Sequence, residues 1–97
     1  MHTIEKLSLK QLQYFAAVAE YGSFRQAAFG LNITQPTLSN QVSVMEKILK
    51  IQLFERSRKG INPTPEGREL LSSARRVLEE AQGFATQASI LAGGGMG

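Results

Sequence analysis

The sequence predicts a mainly α fold made of three short helices, a small β-hairpin and one long terminal helix. Three observations lead there. Apolar residues recur at helical spacing in four stretches, three of them preceded by a Ser or Thr suited to capping a helix N-terminus. Leu53-Phe54 and Ile61–Thr64 read as short strands around a charged turn, Ser57 to Gly60. From Leu70 to Leu91 the apolar residues alternate in steps of four and three, a heptad seam.

Residues 1–8 are expected to be a frayed lead-in, with His2 a solvated terminal histidine. Leu9, Leu12, Phe15, Ala16 and Ala19 mark a first helix to about Glu20, closed by Gly22 as a C-cap glycine. The aromatic pair Tyr14 and Phe15 is more simply packing than a stacking platform. Ser23 caps the second helix, whose inner face is Phe24, Ala27, Ala28 and Leu31; the two alanines let another helix cross closely. Asn32 and Ile33 then make a tight connection into Thr34. Two helices joined in this way, the later one polar on its outside, form the helix-turn-helix pattern.

The third helix, from Thr34 to Leu49, is the one the rest is arranged to present. Its apolar residues Leu38, Val42, Met45 and Leu49 form one narrow stripe. Pro36, Asn40, Ser43 and Lys47 fall on the far side, with Thr37 and Ser39 on the flanks and Gln35 in the first turn. Thr34 can accept from a free backbone N–H, and Pro36 sits where no intrahelical donor is lost. A slim polar face of hydrogen-bonding groups suits entry into a DNA major groove. An ordinary amphipathic surface helix would carry the same stripe, so the neighbours decide.

Downstream, the hairpin carries Arg56, Arg58 and Lys59, with the last two at its tip, and Pro63 confines the second strand to an edge. Such a loop fits phosphate or minor-groove contact; the plainer alternative is a solvated loop. Thr64 caps the last helix and Pro65 opens it, running to about Ala92. Its seam is Leu70, Ala74, Val77, Ala81, Phe84, Ala88 and Leu91, over a rod of roughly 40 Å. A rod that long outreaches a small core beyond its first turns, and the uncovered seam implies a second copy of the chain. Gly93 to Gly97 reads as flexible linker.

Composition sets the outer bounds. Ninety-seven residues allow one domain with a modest core, and 42% hydrophobic against 20% charged content is that of an ordinary globular chain. No cysteine, one histidine, no phosphate loop, no GxSxG and no HExxH leave no catalytic residues, metal ligands or cofactor site to assign. With no secretory signal or membrane-length apolar run, a cytoplasmic location without membrane contact is expected. The net charge is only +3, but it is not spread evenly. Between Tyr21 and Thr64 stand Arg25, Lys47, Lys50, Arg56, Arg58 and Lys59 against Glu46 and Glu55 alone, where a polyanion would be held.

Taken together, these residues resemble the DNA-binding region of LysR-type transcriptional regulators over about residues 8 to 92. The likeness lies in Leu12 and Phe15 with Glu20-Tyr21-Gly22-Ser23-Phe24, then Ala27-Ala28 and Leu31. It continues through Thr34-Gln35-Pro36-Thr37-Leu38-Ser39, Gln41, Glu46, Leu53-Phe54-Glu55-Arg56 and Thr64-Pro65-Glu66-Gly67. The resemblance implies a winged helix-turn-helix over residues 1–64 and a dimerising linker helix over 65–92; the glycine-rich tail over 93–97 lies beyond it and reads either as a hinge cut short or as a remnant. It implies double-stranded DNA and a homodimer as partners, for transcriptional control. By matching position it implies major-groove contact from Gln35, Pro36, Ser39 and Asn40 and backbone or minor-groove contact from Arg56, Arg58 and Lys59. The helical face read above adds Thr34, Thr37, Ser43 and Lys47 to the first set, and the charge distribution adds Lys50 to the second.

Two positions depart from the family pattern. Asn40 stands where Arg or another longer side chain is common, which favours an adenine edge over guanine. Lys50 replaces the glycine after the recognition helix, at a cost of roughly 1 kcal/mol if that residue is left-handed. The family's usual effector domain, which binds a small co-inducer, is not among these residues, so the expectation is either an isolated DNA-binding fragment or a chain that senses nothing by itself. The competing class is a helix-turn-helix used only for protein interaction or oligomerisation. It would usually expose an aromatic or aliphatic anchor where this helix is polar.

Overall fold

A computed structural model describes residues 2–93 as α1 (His2–Lys6), α2 (Leu9–Tyr21), α3 (Phe24–Leu31), α4 (Gln35–Leu49), β1 (Phe54–Ser57), β2 (Gly60–Pro63) and α5 (Pro65–Leu91). The solvation expected of the His2 side chain, and all of the glycine tail after Gly93, lie outside the described residues.

The starts of α2, α3, α4 and α5 each have a local cause. The hydroxyls of Ser23, Thr34 and Thr64 accept from Gln26, Thr37 and Gly67 backbone N–H groups at 3.1, 3.2 and 2.9 Å. Ser8 does the same for α2: its Oγ accepts from Gln11 N at 3.2 Å while Ser8 N donates to Gln11 Oε1 at 3.0 Å, a reciprocal capping box. Gly22 closes α2 in the left-handed conformation (φ 66°), its N–H donating to the Val18 carbonyl.

The core gathers one side of every long element. Phe15, Val18, Leu38, Met45 and Leu53 have almost no solvent contact, and Phe24, Ala27, Ala28, Val42, Phe54, Leu71 and Ala74 complete the cluster. Phe54 meets Phe15 and Phe24 edge-on, with centroids 5.5 and 6.1 Å apart. The hairpin is therefore bolted to α2 and α3 by an aromatic side chain at its root. Its register runs from Phe54 opposite Pro63 to Ser57 opposite Gly60, which puts Arg58 and Lys59 in the turn and Pro63 at the end of the ladder.

Three expectations need correction. The lead-in is not frayed: residues 2–6 form a helical turn, because Leu7 packs onto the core and holds the segment against α4. Along α2 the buried residues are Gln11, Phe15 and Val18, whereas Leu9 is exposed. This helix touches α3, α4 and α5, so its covered surface is wider than one stripe. Ala74, expected in a dimer seam, is buried in its own chain's core beside Leu71, and Leu70 packs against that core. The short side chain of Ala74 is what lets α5 cross α2 closely.

Candidate nucleic-acid interface

Burial of Leu38, Val42 and Met45 orients α4 and turns its opposite side outward. Thr34, Gln35, Pro36, Thr37, Asn40, Ser43 and Lys47 are exposed, and Ser39 is half-buried on the flank. Two of these groups are partly engaged already, since the Thr34 and Thr37 hydroxyls hydrogen-bond each other at 2.7 Å. The remaining face offers the carboxamides of Gln35 and Asn40, the hydroxyls of Ser39 and Ser43 and the ammonium of Lys47, along one side of a helix about as wide as a major groove admits.

The hairpin stands beside this face. Phe24, Ser39, Val42, Ser43, Glu46, Gln52, Phe54 and Arg56 line an open groove between α4 and the strands. Arg56 lies against one wall, its guanidinium carbon 5.1 Å from the centroid of the Phe24 ring, a cation–π arrangement that keeps the cation at the groove while leaving it exposed. Arg58 and Lys59 project from the tip, where the Lys59 N–H donates to Ser57 Oγ at 3.2 Å and shapes the turn. Lys50 caps α4 with φ 58°, the left-handed conformation in which lysine carries the strain that glycine avoids, and its side chain is exposed.

Of the site residues expected from the sequence, Ser39, Ser43 and Arg56 line this groove, Lys47 and Lys50 line an adjoining depression with Ser43, and Gln35 lies by a separate pocket on the α3 side. Thr34, Pro36, Thr37, Asn40, Arg58 and Lys59 are exposed outside the groove lining. Glu46 and Gln52 were not foreseen in the groove, nor was Phe24 as a platform for Arg56. Glu46 accepts the Leu53 N–H, and Gln52 Nε2 donates to the Phe54 carbonyl at 2.9 Å. No periodicity connects such pairs, because the chain turns between them.

Along α5, Val77 is 45% exposed, Phe84 76% and Leu91 80%, with Ala88 exposed and Ala81 half-buried. The outer part of the expected seam is therefore uncovered by its own chain, and Ile90 adds a further exposed apolar residue at 56%.

Comparison with known proteins agrees with this architecture. The family model for bacterial regulatory helix-turn-helix proteins of the lysR family matches residues 9–68. The HTH-type transcriptional regulator TfdS of Cupriavidus pinatubonensis (strain JMP 134 / LMG 1197) is 44% identical over 73 residues, covering 75% of this chain and 25% of that protein. The chain thus spans about a quarter of the length of such curated relatives. Two solved structures superpose closely. The BenM_DBD/catB site 1 DNA complex has a TM-score of 0.86 at 37% identity, covering 89% of this chain and 97% of that one. The CbnR_DBD-DNA complex has a TM-score of 0.81 at 38% identity, covering 89% and 99%. The fold is a winged helix-turn-helix with a long C-terminal helix, and the chain belongs to the lysR family of bacterial regulatory helix-turn-helix proteins.

Proposed function

We propose that this chain binds double-stranded DNA sequence-specifically, as a homodimer, to regulate transcription. The observation that carries the proposal is the pairing of a polar, outward α4 face with a cation-tipped hairpin across one open groove. The DNA complexes solved for two relatives of the same fold support it. Gln35, Pro36, Thr37, Ser39, Asn40 and Ser43 would meet base edges and sugar, with Thr34 and Lys47 at either end of the footprint. Lys50, Arg56, Arg58 and Lys59 would hold phosphate or line a minor groove.

Residues 1–64 serve as the reading unit and 65–92 as the pairing arm, whose root is shared with the core. The partner copy would cover Val77, Ala81, Phe84, Ala88 and Leu91. The matched relatives are transcriptional regulators, which supports regulation rather than catalysis. No helix among the described residues is long and apolar enough to cross a membrane. Action on DNA in the cytoplasm follows from the proposed role.

Selection of bound sequences from random duplex DNA tests the proposal. An enriched inverted repeat with fixed half-site spacing is expected, with affinity falling steeply as salt rises. On that operator, Asn40→Ala is expected to cost about 1–3 kcal/mol and to relax the base preference at one step. Recovery of no common sequence, or salt-insensitive retention, would sink the reading.

A further inference from the structure

Glu46 is a carboxylate on the face that the proposed function turns toward phosphate, where a negative charge repels the ligand. It lines the groove with Ser39, Ser43, Gln52 and Arg56, and a neighbouring depression with Lys47 and Lys50. What it does there is structural and specific. Its Oε2 accepts the Leu53 N–H at 2.7 Å, the short length of a charge-assisted bond. Its backbone carbonyl accepts from Lys50 N at 2.8 Å and Ile51 N at 3.3 Å. One residue in the last turns of α4 therefore holds the connection that leads to the hairpin by both main chain and side chain.

The bond lands at a junction. Leu53 has no solvent exposure and immediately precedes β1. Its carbonyl accepts from Thr64 N at 3.0 Å, where β2 ends and α5 begins. Thr64 Oγ1 in turn donates to the Gln52 carbonyl at 2.6 Å and accepts from Gly67 N. Both strand roots thus hang on the residue that the carboxylate grips.

We propose that Glu46 is a positioning residue that fixes the angle between α4 and the hairpin, and so sets the span between major-groove and backbone contacts. The inference rests on the DNA-binding function proposed above. It assigns the carboxylate a gain in geometry that offsets its repulsion of phosphate.

The test compares the full chain with Glu46→Gln, Glu46→Asp and Glu46→Ala on the selected operator. Hydroxyl-radical footprints, major-groove methylation protection and the salt slope are read together. Glu46→Ala is expected to keep major-groove protection, to lose the flanking backbone protection, and to lower the salt slope by about 2, at 0.9 per phosphate contact released by Arg58 and Lys59. Glu46→Gln, which keeps an acceptor oxygen at the same reach, is expected to restore both. Should the alanine variant not fold, Glu46→Asp carries the test, since its carboxylate keeps the charge but is one methylene short; it is expected to behave as predicted for alanine. Uniform loss of every protection, or tighter binding by the Gln and Ala variants alike with unchanged footprints, would overturn the assignment. Absence of salt-sensitive binding by the unaltered chain would strike the DNA-binding function itself.

Discussion

Lys50 occupies the left-handed region at the end of α4, where a side chain with a β-carbon costs on the order of 1 kcal/mol relative to glycine. Lys50→Gly is therefore expected to raise Tm by about 4–8 °C while weakening DNA binding slightly through the lost cation. Thermal unfolding followed by circular dichroism checks the first, and an unchanged Tm would mean the strain is already relieved. Gly67 is the converse case. It is buried, and a Cβ built on it would collide with the Leu53 carbonyl, which the wing root cannot move aside cheaply. Gly67→Ala is expected to cost about 1–3 kcal/mol, read as a lower denaturation midpoint. Lys50 could be anticipated from the sequence because a helix end is a local event. Gly67 could not, since the atom it must avoid comes from a different element.

At the scale of elements, capping made most boundaries legible. Ser23, Thr34 and Thr64 are where the sequence puts them, and the hairpin keeps Arg58 and Lys59 at its tip. Legibility failed along α2. Its neighbours cover it on several sides, so a single stripe could not rank Val18 above Leu9, and Gln11 is buried because its carboxamide is spent on Ser8. The wing's contribution to binding is separable from its folding, because its cations are exposed while its root is fixed by Phe54 and Thr64. Arg58→Ala and Lys59→Ala are each expected to weaken binding to all sequences alike and to lower the salt slope by about 1, with Tm unchanged. Filter binding across a salt series measures this. A sequence-dependent loss would place these residues on base edges instead.

At the scale of the molecule, α5 leaves the core after Ala74, and its apolar residues continue past any cover the chain supplies. The exposed apolar face was legible in the heptad steps; its extent was not, because periodicity cannot tell which turns the core already occupies. Phe84→Glu is expected to shift sedimentation from dimer to monomer without unfolding the winged domain, since Phe84 is 76% exposed. A dimer of unaltered stability would place the interface elsewhere. The bare half of α5 also bears on how its winding is maintained. Residues 82–91 are exposed throughout, their side-chain hydrogen bond from Gln82 to Thr86 is local, and isolated helices of about 12–15 residues are marginal in water. Dilution should therefore let that half melt while the remainder holds, making far-ultraviolet ellipticity a gauge of how many copies have met.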